Sequence, residues 1–122
     1  MPTESARAIS VTLGGTATAN HFVTLQADGK FDLSSAQDNA DGIILSDGVD
    51  GDRVSMAIPD SSVMEVVASA AITAGDNIGC AAAGEARTAV AGDTIMGKAL
   101  VAAAAGDEVI SILFSKAGAV QA

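Results

Sequence analysis

The chain has 122 residues, 49% of them apolar but only 2% aromatic, with a formal net charge of −9. That length fits one domain, and no apolar run approaches the roughly 18 residues of a membrane span, so a soluble chain with no membrane partner is expected. Six basic residues are scattered among fifteen acidic ones, which argues against nucleic acid, because phosphate binding needs clustered Lys and Arg to displace counterions.

The first residues, Met1 to Ala8, are polar and carry no basic-then-apolar leader. Synthesis in the cytoplasm and a flexible N-terminal arm over residues 1–8 are the expectations. Strand signals then follow at short, even spacing. Ile9, Val11 and Leu13 alternate with Ala8, Ser10 and Thr12, the period of a half-buried strand. His21 to Gln26, Lys30 to Leu33 and Gly42 to Leu45 come next, and then Arg53 to Ile58, which alternates like the first. The second half offers Ser62 to Ala68, Asn77 to Ala81, Glu85 to Thr88, Thr94 to Val101 and Glu108 to Phe114. Asp-Gly pairs at 28–29, 41–42, 47–48 and 50–51 and Ala-Gly-Asp at 74–76, 91–93 and 105–107 mark turns between strands. Only Ser34 to Ala40 reads as room for a short helical turn. The main body is residues 9–116, with a tail at 117–122.

The two halves repeat. Displaced by 55 positions without a gap, Val11 meets Val66, Gly29 meets Gly84, Asp38 meets Asp93 and Gly42 meets Gly97. In the same register Gly51-Asp52 and Val54 meet Gly106-Asp107 and Val109, and Ile58 meets Leu113. Glycine matches weigh most, because glycine marks positive φ or close backbone approach. Pseudo-repeats 9–61 and 64–116 follow. They decide against a helix at Ala99 to Ala105, whose counterpart Ile44 to Asp50 carries turn residues. The fold class is therefore all-β: a compact barrel or sandwich built from two pseudo-repeats of about 55 residues, with at most one short helix. The last strand, Val109 to Phe114, is apolar on both faces. It either runs through the centre of the fold or meets another subunit, and Ile110, Ile112 and Phe114 are its candidate oligomer interface.

Residues with chemistry are sparse, and no enzyme is expected. His21 is the one histidine, standing where the second copy has Asp76, and reads as a turn residue. Cys80 matches Leu25 and reads as a small buried hydrophobe. No catalytic, cofactor or metal residue is assigned. The loop Asp47 to Asp52 lacks the ligand spacing of an EF-hand and reads as an exposed turn, leaving calcium as a minor alternative. Gly92 to Leu100 is faintly similar to lipoyl and biotinyl carrier domains, but those display their lysine at a hairpin tip, and Lys98 falls within an expected strand. A stand-alone binding or carrier module is the alternative function, and a hydrolase a distant third.

From Thr73-Ala74-Gly75-Asp76-Asn77-Ile78 through Gly84, Ala91-Gly92-Asp93 and Gly97-Lys98-Ala99-Leu100 to Ala104-Ala105-Gly106-Asp107-Glu108-Val109, the chain resembles tailed-phage capsid decoration, or cement, proteins. The resemblance rests on turn order, size and an Ala/Gly/Val-rich, aromatic-poor composition, spanning residues 18 to 114. It implies a β-clip or β-tulip-like barrel. It also implies a homotrimer on the outside of an expanded icosahedral head, a virion location, and the major capsid protein as partner. In similar proteins an N-terminal arm touches the shell, so the arm Pro2, Thr3, Glu4, Ser5, Ala6, Arg7 and Ala8 is the capsid-binding region that the resemblance implies.

Overall fold

The computed structural model describes residues 8–60, 62–115 and 119–121. Among the described residues, ten strands form in the ten segments that alternation and turn chemistry mark. They are β1 (Ala8–Thr12), β2 (Phe22–Leu25), β3 (Phe31–Leu33), β4 (Gly42–Ile44), β5 (Arg53–Ala57), β6 (Ser62–Val67), β7 (Asn77–Cys80), β8 (Ala86–Thr88), β9 (Gly97–Ala99) and β10 (Val109–Phe114). They make two five-stranded antiparallel sheets of orders β1-β5-β4-β2-β3 and β6-β10-β9-β7-β8, the same path walked twice. The pairing repeats in detail: Phe22 opposite Ile43 becomes Asn77 opposite Lys98, and Val23 opposite Leu33 becomes Ile78 opposite Thr88.

Two expectations are corrected. The short helical turn lies at Ala82–Gly84 and not within Ser34 to Ala40. There the chain makes a turn closed by Asp38 N–H to Ser35 O, with the Asp38 carboxylate accepting from Ser35 N–H. The gap-free register also fails in the last strand of each repeat. Leu13 N–H donates to Asp52 O where Ala68 N–H donates to Glu108 O, and Gly51 N–H donates to Leu13 O where Asp107 N–H donates to Ala68 O. One residue is thus inserted in the second repeat between Ala103 and Asp107, so Val54 corresponds to Ile110 and Met56 to Ile112. Gly51 and Asp107 share a left-handed φ of 89° and 68°, whereas Gly106 is small because the Ser69 carbonyl lies against it.

The core has two parts. Val11, Leu13, Ala17, Val23, Ile44, Val54 and Met56 fill the first repeat. The second cluster runs through the other repeat and across the seam between them, joining Phe22, Ala40, Ile43 and Ala57 to Met64, Cys80, Met96 and Phe114. At the seam the Phe22 and Phe114 rings lie 6.0 Å apart at 54°, a tilted contact. The backbone is stitched there by Val67 N–H to Asn20 O, Gln37 N–H to Cys80 O and Gly84 N–H to Ser34 O.

Gly42 and Gly97 do the same job in each repeat. A Cβ at Gly42 would press on Ala57 O and the Met56 side chain, and one at Gly97 on Leu113 O. Gly42→Ala is expected to cost about 2 kcal/mol or more, because the obstacle is backbone that cannot swing aside. Gly29→Ala, with open space around it, pays only for its positive φ, about 1 kcal/mol. Urea midpoints of the two variants measure the difference; equal shifts would mean that the β4–β5 approach is not what selects glycine.

Candidate functional site

The residues given a surface role do not all reach one. Ile110, Ile112 and Phe114 are buried within the chain itself. β10 lies between β6 and β9, so the strand runs through the fold and these side chains offer no face to a second copy. That corrects their assignment as an oligomer interface. The members of β10 that remain open are Val109 and Leu113, 50% and 38% exposed. In the N-terminal arm, Pro2 to Arg7 lie outside the described residues, and Ala8 is exposed at the start of β1.

Cys80 is buried, as expected, although Leu25, its match in the first repeat, is 51% exposed. Burial is the main cause that pushes its thiol up to about 12, against a partly offsetting bond from the Ala40 backbone. His21 holds the turn place that Asp76 holds in the second repeat. Its Nδ1 lies 3.0 Å from Thr18 Oγ1, and its Nε2 lies 3.9 Å from Glu85 Oε2 across the seam. The acidic loop spends its carboxylates separately: Asp47 accepts from Ala19 N–H, Asp52 from Val49 N–H, and Asp50 meets Lys30 at 3.3 Å.

Sequence reading missed an ion pair. Asp93, fully buried, accepts from Arg87 Nε at 3.1 Å and Arg87 Nη2 at 2.8 Å, and from Val90 N–H at 3.1 Å. Burial raises the Asp93 pKa, but the Arg87 bonds and the Val90 N–H outweigh it and hold the carboxyl below its ordinary value. Gly79 lacks a side chain because that carboxylate stands over it.

One concave surface stands out. On the second sheet, Asn77, Ile95, Gly97, Lys98, Leu113 and Ser115 line an open hollow of about 220 Å³. Gly97 is forced by the Leu113 carbonyl, which leaves the floor bare, and Lys98 projects from mid-β9. The walls mix apolar Ile95 and Leu113 with the Lys98 cation, the Asn77 amide and the Ser115 hydroxyl. Such a surface can hold a chain segment or another protein by shape, a few hydrogen bonds and one charge.

Fold and surface together define a class: a duplicated ten-stranded β domain whose accessible features are faces and edges. Among solved structures, the head fibre gp8.5 N base of bacteriophage phi29 has the same fold. Its TM-score is 0.75 at 17% identity, covering 94% of this chain and 98% of that one. No protein-family model matches the sequence, and no curated protein is similar to it.

Proposed function

We propose that this chain is a non-catalytic structural protein of a phage head, bound as a homotrimer to the outside of an expanded capsid and stabilising it. The observation that carries the reading is the match, over nearly the whole of both chains, with the base of a phage head fibre. The sequence resemblance to capsid decoration proteins points the same way. A protein with this task needs shape and edges multiplied by lattice symmetry, not an active site. Its partner is the major capsid protein, and the arm from Pro2 to Ala8 supplies contacts by strand addition. The carrier-module alternative loses support from the placement of Lys98: it sits in β9, paired with Asn77 and Leu113 on either side, and not at a hairpin tip where a modifying enzyme would reach it.

Co-sedimentation with expanded and unexpanded tailed-phage heads tests the reading. Saturable binding to expanded heads alone is expected; binding to neither overturns it. Deleting residues 1–8 is expected to leave the unfolding midpoint nearly unchanged and to weaken head binding by about tenfold or more, the equivalent of about 1.4 kcal/mol. Undiminished binding removes the arm from the mechanism.

A further inference from the structure

The seam within the chain joins unlike surfaces. The first repeat contributes the outer face of its sheet, Phe22, Ala40, Ile43 and Ala57; the second contributes the end of its own core, Met64, Cys80, Met96 and Phe114, with the turn at Ala82–Gly84. Because the repeats are equivalent, each surface exists twice, and one of each is left without its mate. The second repeat's outer face is the hollow: Asn77, Ile95, Lys98 and Leu113 stand where Phe22, Ala40, Ile43 and Ala57 stand. The first repeat's open end carries Ile9 and Leu25 where the second carries Met64 and Cys80. Ile9 and Leu25 are 49% and 51% exposed, against 1% and 0% for their counterparts. Gly84 is pressed by Phe22 O, whereas nothing lies within 4 Å of a Cβ built on Gly29.

We propose that a second copy of this chain docks its first-repeat end, around Ile9 and Leu25, onto the second repeat's outer face, around Lys98 and Leu113, continuing from chain to chain the seam that joins the repeats within one chain.

Charge supports this occupant. In the seam His21 faces Glu85 at 3.9 Å; at the free surfaces their counterparts are Asp76 and Lys30, which are of opposite sign. Ile43 and Met96 share the buried seam cluster, and their counterparts are Lys98 and Asp41, which are also complementary. The free surfaces are thus a more polar version of the buried seam, as suits copies that must also exist apart. The rim shows a stand-in. Where Gln37 N–H donates to Cys80 O across the seam, Gly92 N–H donates to Gln121 O and Ile95 N–H to Ala119 O. The Gly92 N–H that Gln121 O accepts is therefore the one that the seam would assign to a neighbour's Leu25 carbonyl. Residues 119–121 are held by these bonds, by Gln121 N–H to Asp93 O, by Asn77 Nδ2–H to Gln121 Oε1 and by a bridge between Thr94 and Val120, with Val120 60% exposed, and the arriving copy takes their place. The contact is head-to-tail, so it leaves a free surface at each end and must close into a ring or grow a filament. Three copies in a ring would set six repeats around one axis. The inference takes up the trimer of the proposed function and adds where its copies touch.

Cysteine pairing in the free protein tests it. Ala40 and Cys80 meet in the seam, so Leu25→Cys on one chain should meet Ile95→Cys on another. The native Cys80 thiol, pushed up to about 12, takes no part in exchange near pH 8. Under mild oxidation the mixed variants are expected to give a cross-linked heterodimer and neither variant alone a homodimer. Cross-linking of a single variant with itself, or none in the mixture, overturns the proposal. Lys98→Glu in the Ile95→Cys chain is expected to lower the yield about tenfold, and an unchanged yield counts against it. Deleting residues 119–122 is expected to raise the yield, and a yield that falls or stays the same overturns the exchange at the rim. No capsid takes part, so a failure here is separable from a failure to bind heads.

Discussion

Phe114→Ala is expected to remove about 3–5 kcal/mol of stability, among the largest losses of any single truncation in the core. The chain has three phenylalanines and no tryptophan or tyrosine, so volume in its interior comes mostly from aliphatic side chains. Phe114 is fully buried, and it lies on the seam against Phe22. A cavity left there opens between two rigid sheets whose backbones are already fixed by ladder bonds, so little collapse can offset it. For a domain whose total stability is of the order of 5–15 kcal/mol, that loss approaches unfolding at the lower end. The repeats share one cluster of buried residues across the seam, and urea unfolding is expected to stay a single transition with an unchanged slope and a lowered midpoint. Phe22→Ala should cost a similar amount. The double variant should cost about 1 kcal/mol less than the two together, the coupling of one aromatic pair. Strict additivity would mean that the rings do not communicate. Two separate transitions would mean that the repeats fold as independent units.

The strands were legible because apolar alternation and Asp-Gly turns are local signals, and both repeats carry them. The register was less so. Left-handed positions recur at Asn20 and Gly75, Gln37 and Gly92, and Gly51 and Asp107, and each of these pairs sets a glycine against a non-glycine. Matching glycine to glycine therefore aligned Gly51 with Gly106 and hid the inserted residue. The two-faced look of Val109 to Phe114 misled for a related reason: a sequence shows that Val109 and Leu113 are apolar, not that they face outward. The seam was invisible because it is made of residues that the repeat equates with exposed ones, Cys80 with Leu25 and Met64 with Ile9. The hollow around Lys98 brings together residues from 77 to 115, and no local spacing announces it. The duplication even pointed away from the ion pair, since Arg87 stands in the place of Asp32.

That pair supports the second large effect. Arg87→Ala is expected to destabilise the fold by about 3 kcal/mol at neutral pH, because it strands a buried carboxylate with the Val90 N–H as its remaining bond among the described residues. Asp93→Asn should cost less, about 1–2 kcal/mol: the amide still accepts one hydrogen bond, and Arg87, 27% exposed, can turn to water. The pH dependence separates a charge effect from a packing one. In the wild type the Asp93 carboxyl lies below its ordinary value. Its contribution is therefore complete above the unfolded pKa of about 3.9 and is lost as pH falls through the lower folded value. Without Arg87, burial dominates and lifts the carboxyl above its unfolded value. The variant then binds a proton on folding as the medium turns acid, and its deficit should shrink from pH 7 toward pH 4. Urea midpoints of wild type, Arg87→Ala and Asp93→Asn across that range provide the test. A deficit for Arg87→Ala that is the same at both ends would assign its cost to lost packing of the arginine stem over β7 and β8, and not to the ion pair.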